Sequence, residues 1–277
     1  MADLKISVLG GLEIAGGNSN AITSLTRKTK AVAAYLALQR GQPQSRDRIA
    51  ALFWEDSPEE LARTNLRQCL STLRKHFDGA LVATADAVYL EPAAVDLDAE
   101  RFETLIALDE REPLEEAAAI YRGDLLDGFS VKEEAFEAWI RVEREHYRSL
   151  MVDGLLRLVS RCEETKDSGG AIKVAARLLL IDPLNEQVHC SLMRAYAAQG
   201  RYDAALKQFK ICRDVLEREL GVQPKADTVA LHEKLRAERK NLGAPDTDAA
   251  SALNVALEFD ALGIDFSLPS KPSIILM

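Results

Sequence analysis

The sequence predicts a mainly α-helical protein with a small β component, and three observations support this. Alternation of apolar and polar residues, the pattern of a strand, is confined to the first 95 residues. From about Val95 onward, apolar residues recur at three- and four-residue steps, which is the period of an amphipathic helix. Within that helical part, a repeat at an offset of 34 residues indicates stacked helix pairs. A chain of 277 residues is long enough for two domains.

Short strands and then a helix are predicted at the N-terminus. Residues 4–9 and 12–14 have strand patterns and are each followed by glycines, and residues 22–25 are a candidate third strand. The period changes at Arg27, where a helix is predicted to begin, and it is expected to end near Gly41.

A short helix and a long helix are predicted next. Ser45 suits the N-cap of the short helix, with Asp47 in the first turn, where the helix dipole favours negative charge. The long helix is predicted over residues 58–77. Ser57 is its expected N-cap, and Glu60 is the expected partner in a capping box.

The long helix has an apolar side and a polar, basic side. The apolar side is predicted to be buried and consists of Ala62, Leu66, Leu70, Leu73 and Phe77. The opposite side has no acidic residue from Leu61 to Phe77, and its guanidinium, amide and hydroxyl groups are of the kind that read base edges or hold phosphates. The candidates for DNA contact on this side are Thr64, Arg67, Gln68, Ser71, Arg74 and Lys75. The alternative for this side is a solvated surface without a ligand.

The candidates differ in their expected roles. Arg67 and Gln68 are the first choices for base contacts, whereas Arg74 and Lys75 are expected to hold phosphates. Further candidates outside this set are Arg63, Thr84 and three residues at the start of the first helix that are expected to hold phosphates, namely Arg27, Lys28 and Lys30. Two arginines of the short helix are expected to be surface charges, with phosphate contact as the alternative, namely Arg46 and Arg48.

A hairpin completes the N-terminal part. Residues 81–83 and 87–90 have strand patterns and flank the turn at residues 84–86. Two strands, three helices and a hairpin in this order are the layout of a winged helix-turn-helix, with the hairpin as the wing. Because the turn carries no cation, most of the DNA specificity is expected to come from helix 58–77.

The charge distribution supports the same assignment. Residues 1–95 hold 11 Lys and Arg against 10 Asp and Glu, whereas residues 96–277 hold 24 against 34. An acidic second part repels a DNA duplex, so DNA contact is expected to be confined to the first part.

Three regions are predicted along the chain. Residues 1–95 are the winged helix-turn-helix, and residues 96–242 form an all-α array of helices like those of tetratricopeptide repeats. In the array, residues 192–209 match the tetratricopeptide pattern well, and residues 158–173 are a degenerate copy. Residues 243–277 are expected to be a linker and the start of a further segment or a tail.

Several other classes of protein are disfavoured. No phosphate-binding loop, His-Glu-x-x-His or Gly-x-Ser-x-Gly motif is present, so we expect no enzyme, no catalytic residue and no cofactor. The four cysteines lack metal-ligand spacing and indicate buried thiols in a reducing compartment, without a metal. No run of 18 apolar residues is present, so no membrane contact is expected within this chain. The expected location is the cytoplasm.

Five segments in the same order resemble the Streptomyces antibiotic regulatory protein (SARP) class. They are residues 45–54, 62–75, 121–129, 194–202 and 216–224. The resemblance covers about residues 4–240 and implies an OmpR-type winged helix joined to a tetratricopeptide-like bacterial transcriptional activation domain. It also implies a regulator that binds double-stranded DNA at promoter repeats and contacts RNA polymerase.

The expected function is therefore a sequence-specific, DNA-binding transcription regulator of the activator type. It would read the major groove with helix 58–77 and use the helical domain for homodimerisation or for contact with RNA polymerase. One alternative is a protein-interaction module of a longer multidomain signalling protein with little or no DNA binding. A third reading makes the chain the regulatory front part of a membrane or enzymatic protein that continues beyond Met277.

Overall fold

The computed structural model describes residues 4–16, 21–77 and 79–242, so the predicted linker and tail at residues 243–277 lie outside the described residues. Contacts divide the chain into two compact units, residues 1–158 and 159–277. These units are defined by contacts, and the domain boundary drawn at residue 95 from the sequence pattern stays a prediction.

The first unit contains a three-stranded sheet in which the N-terminal strand is central. The strands are β1 (Leu4–Ser7), β2 (Glu13–Gly16) and β6 (Val95–Leu97), in the order β2-β1-β6. β1 is antiparallel to β2, with Ile6 opposite Ile14, and parallel to β6, with Ile6 opposite Leu97. The N-terminal strands are therefore confirmed. β6 was not predicted, because its partner lies about 90 residues away in the sequence.

The candidate strand at residues 22–25 is wrong. Ala21 makes an isolated bridge with Ala15, and the Ile22 backbone N–H donates to the carbonyl of Ile14 at 2.8 Å. The residues that follow have no strand partner, and the chain continues to Thr26, the N-cap of the first helix.

Three helices and a hairpin follow, as the sequence predicts. The helices are α1 (Arg27–Leu38), α2 (Arg46–Phe53) and α3 (Glu59–His76). The hairpin sheet consists of β3 (Gln44–Ser45), β4 (Leu81–Ala83) and β5 (Ala87–Leu90), in the antiparallel order β3-β5-β4. Ser45 caps α2, as predicted, by accepting from the Arg48 backbone N–H at 3.1 Å. This arrangement is a winged helix-turn-helix, in which β4, β5 and the turn between them form the wing.

The predicted cap of α3 is wrong. The helix begins one residue later than expected, at Glu59, and its N-cap is Pro58, which makes no side-chain capping bond. Ser57 instead belongs to the turn after α2, where its backbone N–H donates to the carbonyl of Trp54 at 3.1 Å. Ser57 is therefore one position too early, so no capping box with Glu60 forms.

The remainder of the first unit is helical. It comprises α4 (Asp98–Leu108), α5 (Arg111–Ile120) and the first part of α6 (Glu134–Glu164). The loop between α5 and α6 is held against β1 and its following turn, because the Leu126 and Asp127 backbone N–H groups donate to Val8 and Gly10 at 2.8 Å each. Arg144 of α6 donates to the carbonyls of three loop residues, Leu125, Leu126 and Phe129.

Aromatic side chains pack the start of α6 against α1 and α2. Tyr35 of α1 lies 4.9 Å from Trp139, and Phe53 of α2 lies 5.0 Å from Phe136, between ring centroids. All four belong to the first unit. This aromatic cluster therefore joins the winged fold to the beginning of α6 in one core.

The second unit is a succession of helices, as the repeat predicts. After the end of α6 come α7 (Ser168–Ile181), α8 (Glu186–Ala198), α9 (Tyr202–Leu220) and α10 (Ala226–Asn241). From α7 to α10, consecutive helices pack on each other. Buried His189 bonds to Gln208 of α9 and to the carbonyl of Pro183, and burial lowers its pKa. Its buried ring nitrogens are therefore both satisfied without an external ligand.

Candidate nucleic-acid interface

The apolar side of α3 is buried, as predicted. Its five residues are at most 5 % exposed and are Ala62, Leu66, Leu70, Leu73 and Phe77. Cys69 lies on the same side, and burial raises the pKa of its thiol to about 11. That thiol therefore stays protonated at neutral pH, which does not suit metal binding or nucleophilic chemistry.

The polar side of α3 faces solvent. All six residues that the sequence places there are exposed, namely Thr64, Arg67, Gln68, Ser71, Arg74 and Lys75. Leu73 is fully buried, whereas Lys75, two positions further along the helix, is exposed. The structure therefore brings these six candidates together on one surface, which we call the α3 face.

The residues of the α3 face differ in their partners. In the part of the chain that the structure describes, the side chains of Arg67, Gln68, Ser71 and Lys75 have no hydrogen bond or ion pair with another residue. The Thr64 hydroxyl donates to the carbonyl of Glu60 at 2.9 Å, one turn earlier. Two cations and an amide on this face are thus available to an external ligand.

Arg63 lies beside this face in a different electrostatic setting. It forms ion pairs with Glu59 at 2.6 Å and with Asp47 of α2 at 3.3 Å. Two carboxylates therefore compensate its charge, and the pair with Asp47 ties the beginning of α3 to α2.

The wing lies next to α2 and α3, and arginines of both helices contact it. The Arg46 Nε donates to the carbonyl of Thr84 at 2.9 Å, and the Arg46 backbone N–H donates to that of Asp86 at 3.3 Å. The Arg74 Nη2 donates to the carbonyl of Ala83 at 3.4 Å. The Thr84 hydroxyl closes the turn by bonding to Ala87.

A cleft of about 700 Å³ lies between the wing, the start of α2 and α3. Its charged lining residues are Arg46, Asp47, Arg63, Arg67 and Asp86. The cleft is therefore polar and slightly cationic.

The candidates on α1 lie in another environment. Lys28 pairs with Glu133 and lies over the Trp54 ring, 5.3 Å from its centroid. The Arg27 Nη2 donates to the carbonyl of Gly128 at 3.3 Å, and its guanidinium lies over Phe129. Lys30 is half-buried. The structure places Arg27 and Lys28 against the loop between α5 and α6, and phosphate binding by the three α1 residues stays a prediction.

The sequence pattern predicts Arg46 mainly as a surface charge, whereas the structure bonds it to the wing. Its wing partner Thr84 lies 38 residues further along the chain, so no local pattern connects the two. The sequence itself shows only that Arg46 follows the N-cap Ser45 directly and so begins α2.

The described residues hold neither a candidate metal cluster nor a candidate membrane span. No cluster of three or more His, Cys, Asp or Glu side chains suited to a metal ion occurs in residues 4–16, 21–77 and 79–242. Over the same ranges, no helix combines the length and apolar character needed to cross a membrane.

Comparison with known proteins gives matches that span most of the chain. Residues 93–236 match the family model described as the bacterial transcriptional activator domain. The regulatory protein DnrI of Streptomyces peucetius is 27 % identical over 274 residues, covering 91 % of this chain and all of DnrI. The transcriptional regulatory protein MoaR1 of Mycobacterium tuberculosis is 25 % identical over 253 residues, covering 84 % of this chain and 79 % of MoaR1.

A solved structure shares the fold. It is Mycobacterium tuberculosis EmbR in complex with a low-affinity phosphopeptide, with a TM-score of 0.65 and 21 % sequence identity. The match covers 95 % of this chain and 72 % of the EmbR chain. At this identity the likeness supports a shared architecture only, and the phosphopeptide is a ligand of EmbR.

Proposed function

The chain belongs to the bacterial transcriptional activator domain family, and from this premise we propose that α3 is a recognition helix that reads the DNA major groove. The protein is a DNA-binding transcription regulator of the SARP type, similar throughout most of its length to DnrI and MoaR1. The helix and the residues through which it binds are the new element of the proposal.

The α3 face is the observation that carries this proposal. Six residues with donor groups are exposed together, while the opposite side of the same helix is anchored in the core. A major groove about 12 Å wide admits an α-helix, so such a face can reach base edges. Acidic residues, which would repel phosphates, are absent from α3 after Glu60.

The position of each residue along α3, and whether it has a partner, indicates whether it contacts bases or phosphates. Arg67 and Gln68 lie near the middle of the helix and are unengaged, so we assign them to base edges, where Arg suits guanine and Gln suits adenine. Lys75 in the last turn is assigned to phosphate, as is Arg74. Thr64, Ser71 and the wing residue Thr84 can add hydroxyl contacts.

The helical part is assigned to contacts with other proteins. Its acidic balance is unsuited to DNA, which favours contact with RNA polymerase or a second copy of the chain. Family membership supports this assignment. No described feature favours an interaction module without DNA binding, so that alternative is not proposed.

The test measures affinity across a salt series. The full chain is titrated by fluorescence anisotropy against the best-bound duplex selected from a random-sequence library, and against an unselected duplex. We expect affinity to fall steeply with salt and Arg67→Ala with Arg74→Ala to weaken binding by more than about tenfold. Arg101→Ala is the control, because Arg101 pairs with Glu116 on α5. Absence of binding at low salt, or an unaffected double variant, would remove the proposal.

A further inference from the structure

The wing has no cation in its turn, yet two arginines from other elements contact its backbone. Arg46 comes from the first turn of α2 and Arg74 from the last turn of α3. Their bonds go to the adjacent carbonyls of Thr84 and Ala83, at 2.9 and 3.4 Å. The wing backbone is thus an anchoring point for two guanidinium groups.

Each contact leaves most of the guanidinium available. Arg46 uses its Nε for the wing, so both terminal nitrogens remain, and Arg74 uses one terminal nitrogen. A guanidinium has five N–H donors in a fixed plane, so one bond restrains its orientation without using its capacity. Neither arginine has an ion pair among residues 4–16, 21–77 and 79–242.

The neighbouring acidic residues do not cancel these charges. Asp47 adjoins Arg46 in sequence but forms its ion pair with Arg63, which also holds Glu59. Asp86 lines the same cleft, and within the described residues it has no ion pair with Arg46 or Arg74. The start of α2 adds the positive end of a helix dipole next to Arg46.

We propose that Arg46 and Arg74 are a phosphate clamp that the wing positions, and we call this pair the wing clamp. The carbonyls of Thr84 and Ala83 orient the two guanidiniums, which supply the positive charge that the turn lacks. Each would hold a backbone phosphate by charge-assisted hydrogen bonds. The inference rests on the proposed function and adds Arg46 and the role of the wing to it.

The wing clamp acts on the sugar-phosphate backbone and not on the bases. Phosphate contacts fix register and orientation but carry no sequence information. Loss of the clamp should therefore weaken selected and unselected duplexes by the same factor. Loss of a base contact at Arg67 should instead lower the ratio between them.

The geometry at Arg46 provides a variant that separates charge from anchoring. Because Arg46 reaches the wing through Nε, the amide nitrogen in Arg46→Gln occupies the same position along the side chain. That amide can still donate to the Thr84 carbonyl, whereas the positive charge is lost. Arg46→Lys is the converse, because it keeps the charge and lacks a donor at the Nε position.

The experiment uses the full chain, the selected duplex and the unselected duplex over a salt series. For Arg46→Gln we expect the slope of log affinity against log salt to become shallower by about 0.9, the value for one phosphate. For Arg46→Lys we expect a slope near that of the unaltered protein with an affinity roughly threefold to tenfold lower. Arg101→Gln controls for the change in net charge and should leave the slope unchanged.

The outcomes distinguish this inference from the proposed function. If the unaltered chain binds no duplex at low salt, the proposed function fails. If it binds but Arg46→Gln leaves the slope unchanged, or changes the two duplexes by different factors, the wing clamp is wrong and the proposed function stands. Circular dichroism checks that each variant folds. Should Arg46→Gln fail to fold, Arg74 provides the same test. Arg74→Gln should then make the salt slope shallower by about 0.9, and Arg74→Lys should leave the slope unchanged.

Discussion

The start of α1 and the face of α3 carry the same kinds of cation but in opposite settings. Arg67 and Lys75 of α3 are exposed and have no hydrogen bond or ion pair with another described residue. Lys28 of α1 pairs with Glu133 and lies over Trp54, and Arg27 bonds to the carbonyl of Gly128. Both groups were candidates for DNA contact from the sequence.

The difference shows that the position of a positive charge matters less than whether a neighbour already compensates it. A phosphate that approaches Lys28 must displace the Glu133 carboxylate, whose side chain is 13 % exposed. A phosphate that approaches Lys75 displaces no described side chain, because Lys75 is exposed and has no partner among the described residues. We therefore expect the α1 cations to stabilise the fold and the α3 cations to bind DNA.

The largest expected effect lies in the aromatic core on which α1 packs, and it is an effect on stability. Phe136 of α6 is fully buried, with its centroid 5.0 Å from Phe53 and 5.6 Å from Trp139. Because its truncation leaves a cavity at the junction, we expect Phe136→Ala to lower the free energy of unfolding by about 3–5 kcal/mol. The measurement is urea unfolding followed by tryptophan fluorescence, and both tryptophans, Trp54 and Trp139, lie in the first unit.

Val142→Ala on the same helix is the matched control. Val142 is 68 % exposed, so its truncation should change the free energy of unfolding by less than about 0.5 kcal/mol. Equal effects from the two variants would mean that the aromatic cluster is not the core of the first unit.

A smaller effect is expected on DNA affinity, where the two regions can be compared directly. Arg67→Ala should cost roughly 1–3 kcal/mol at the selected duplex, because a base contact and a charge are lost. Lys28→Ala should cost less than about 0.5 kcal/mol, because its charge is already compensated by Glu133. Anisotropy titrations at one salt concentration measure both. If Lys28→Ala costs as much as Arg67→Ala, then α1 belongs to the interface and the contrast fails.

The elements that could be predicted are those with local signals. The helical period gives α1 and α3 and the two sides of α3, and the strand-turn-strand pattern gives the wing. An error of one residue in a helix boundary is enough to make a predicted cap wrong. Ser57 fits the capping pattern but lies one residue too far from the start of α3. Local patterns therefore determine element types well and their ends less well.

The elements that could not be predicted depend on partners far along the chain. Strand β6 is three residues long and exists because it pairs with β1, about 90 residues earlier. The Lys28–Glu133 pair joins residues 105 apart, and Arg46 meets Thr84 across 38. At the candidate site the sequence therefore predicts which residues are exposed together. Which cations are paired with another residue, and which are not, follows only from the folded structure.

The smallest predicted effect concerns the ion pair itself. Lys28 and Glu133 have side chains that are 32 % and 13 % exposed, so solvent screens their attraction only in part. In a double-mutant cycle with Lys28→Met and Glu133→Gln, we expect a coupling of about 0.5–1 kcal/mol in the free energy of unfolding. Urea unfolding of the four proteins at low and high salt measures it.

Salt gives this cycle its diagnostic value. An ion pair that is partly exposed should lose much of its coupling at about 1 M salt, where the Debye length is near 3 Å. The Lys28 Nζ also lies over the Trp54 ring, 5.3 Å from its centroid, but Lys28→Met removes this contact with or without Glu133, so it cancels in the cycle. The part of the coupling that salt removes therefore measures the attraction between Lys28 and Glu133. Zero coupling at low salt would leave the Lys28 charge uncompensated, and α1 would then resemble α3 as a surface for phosphate.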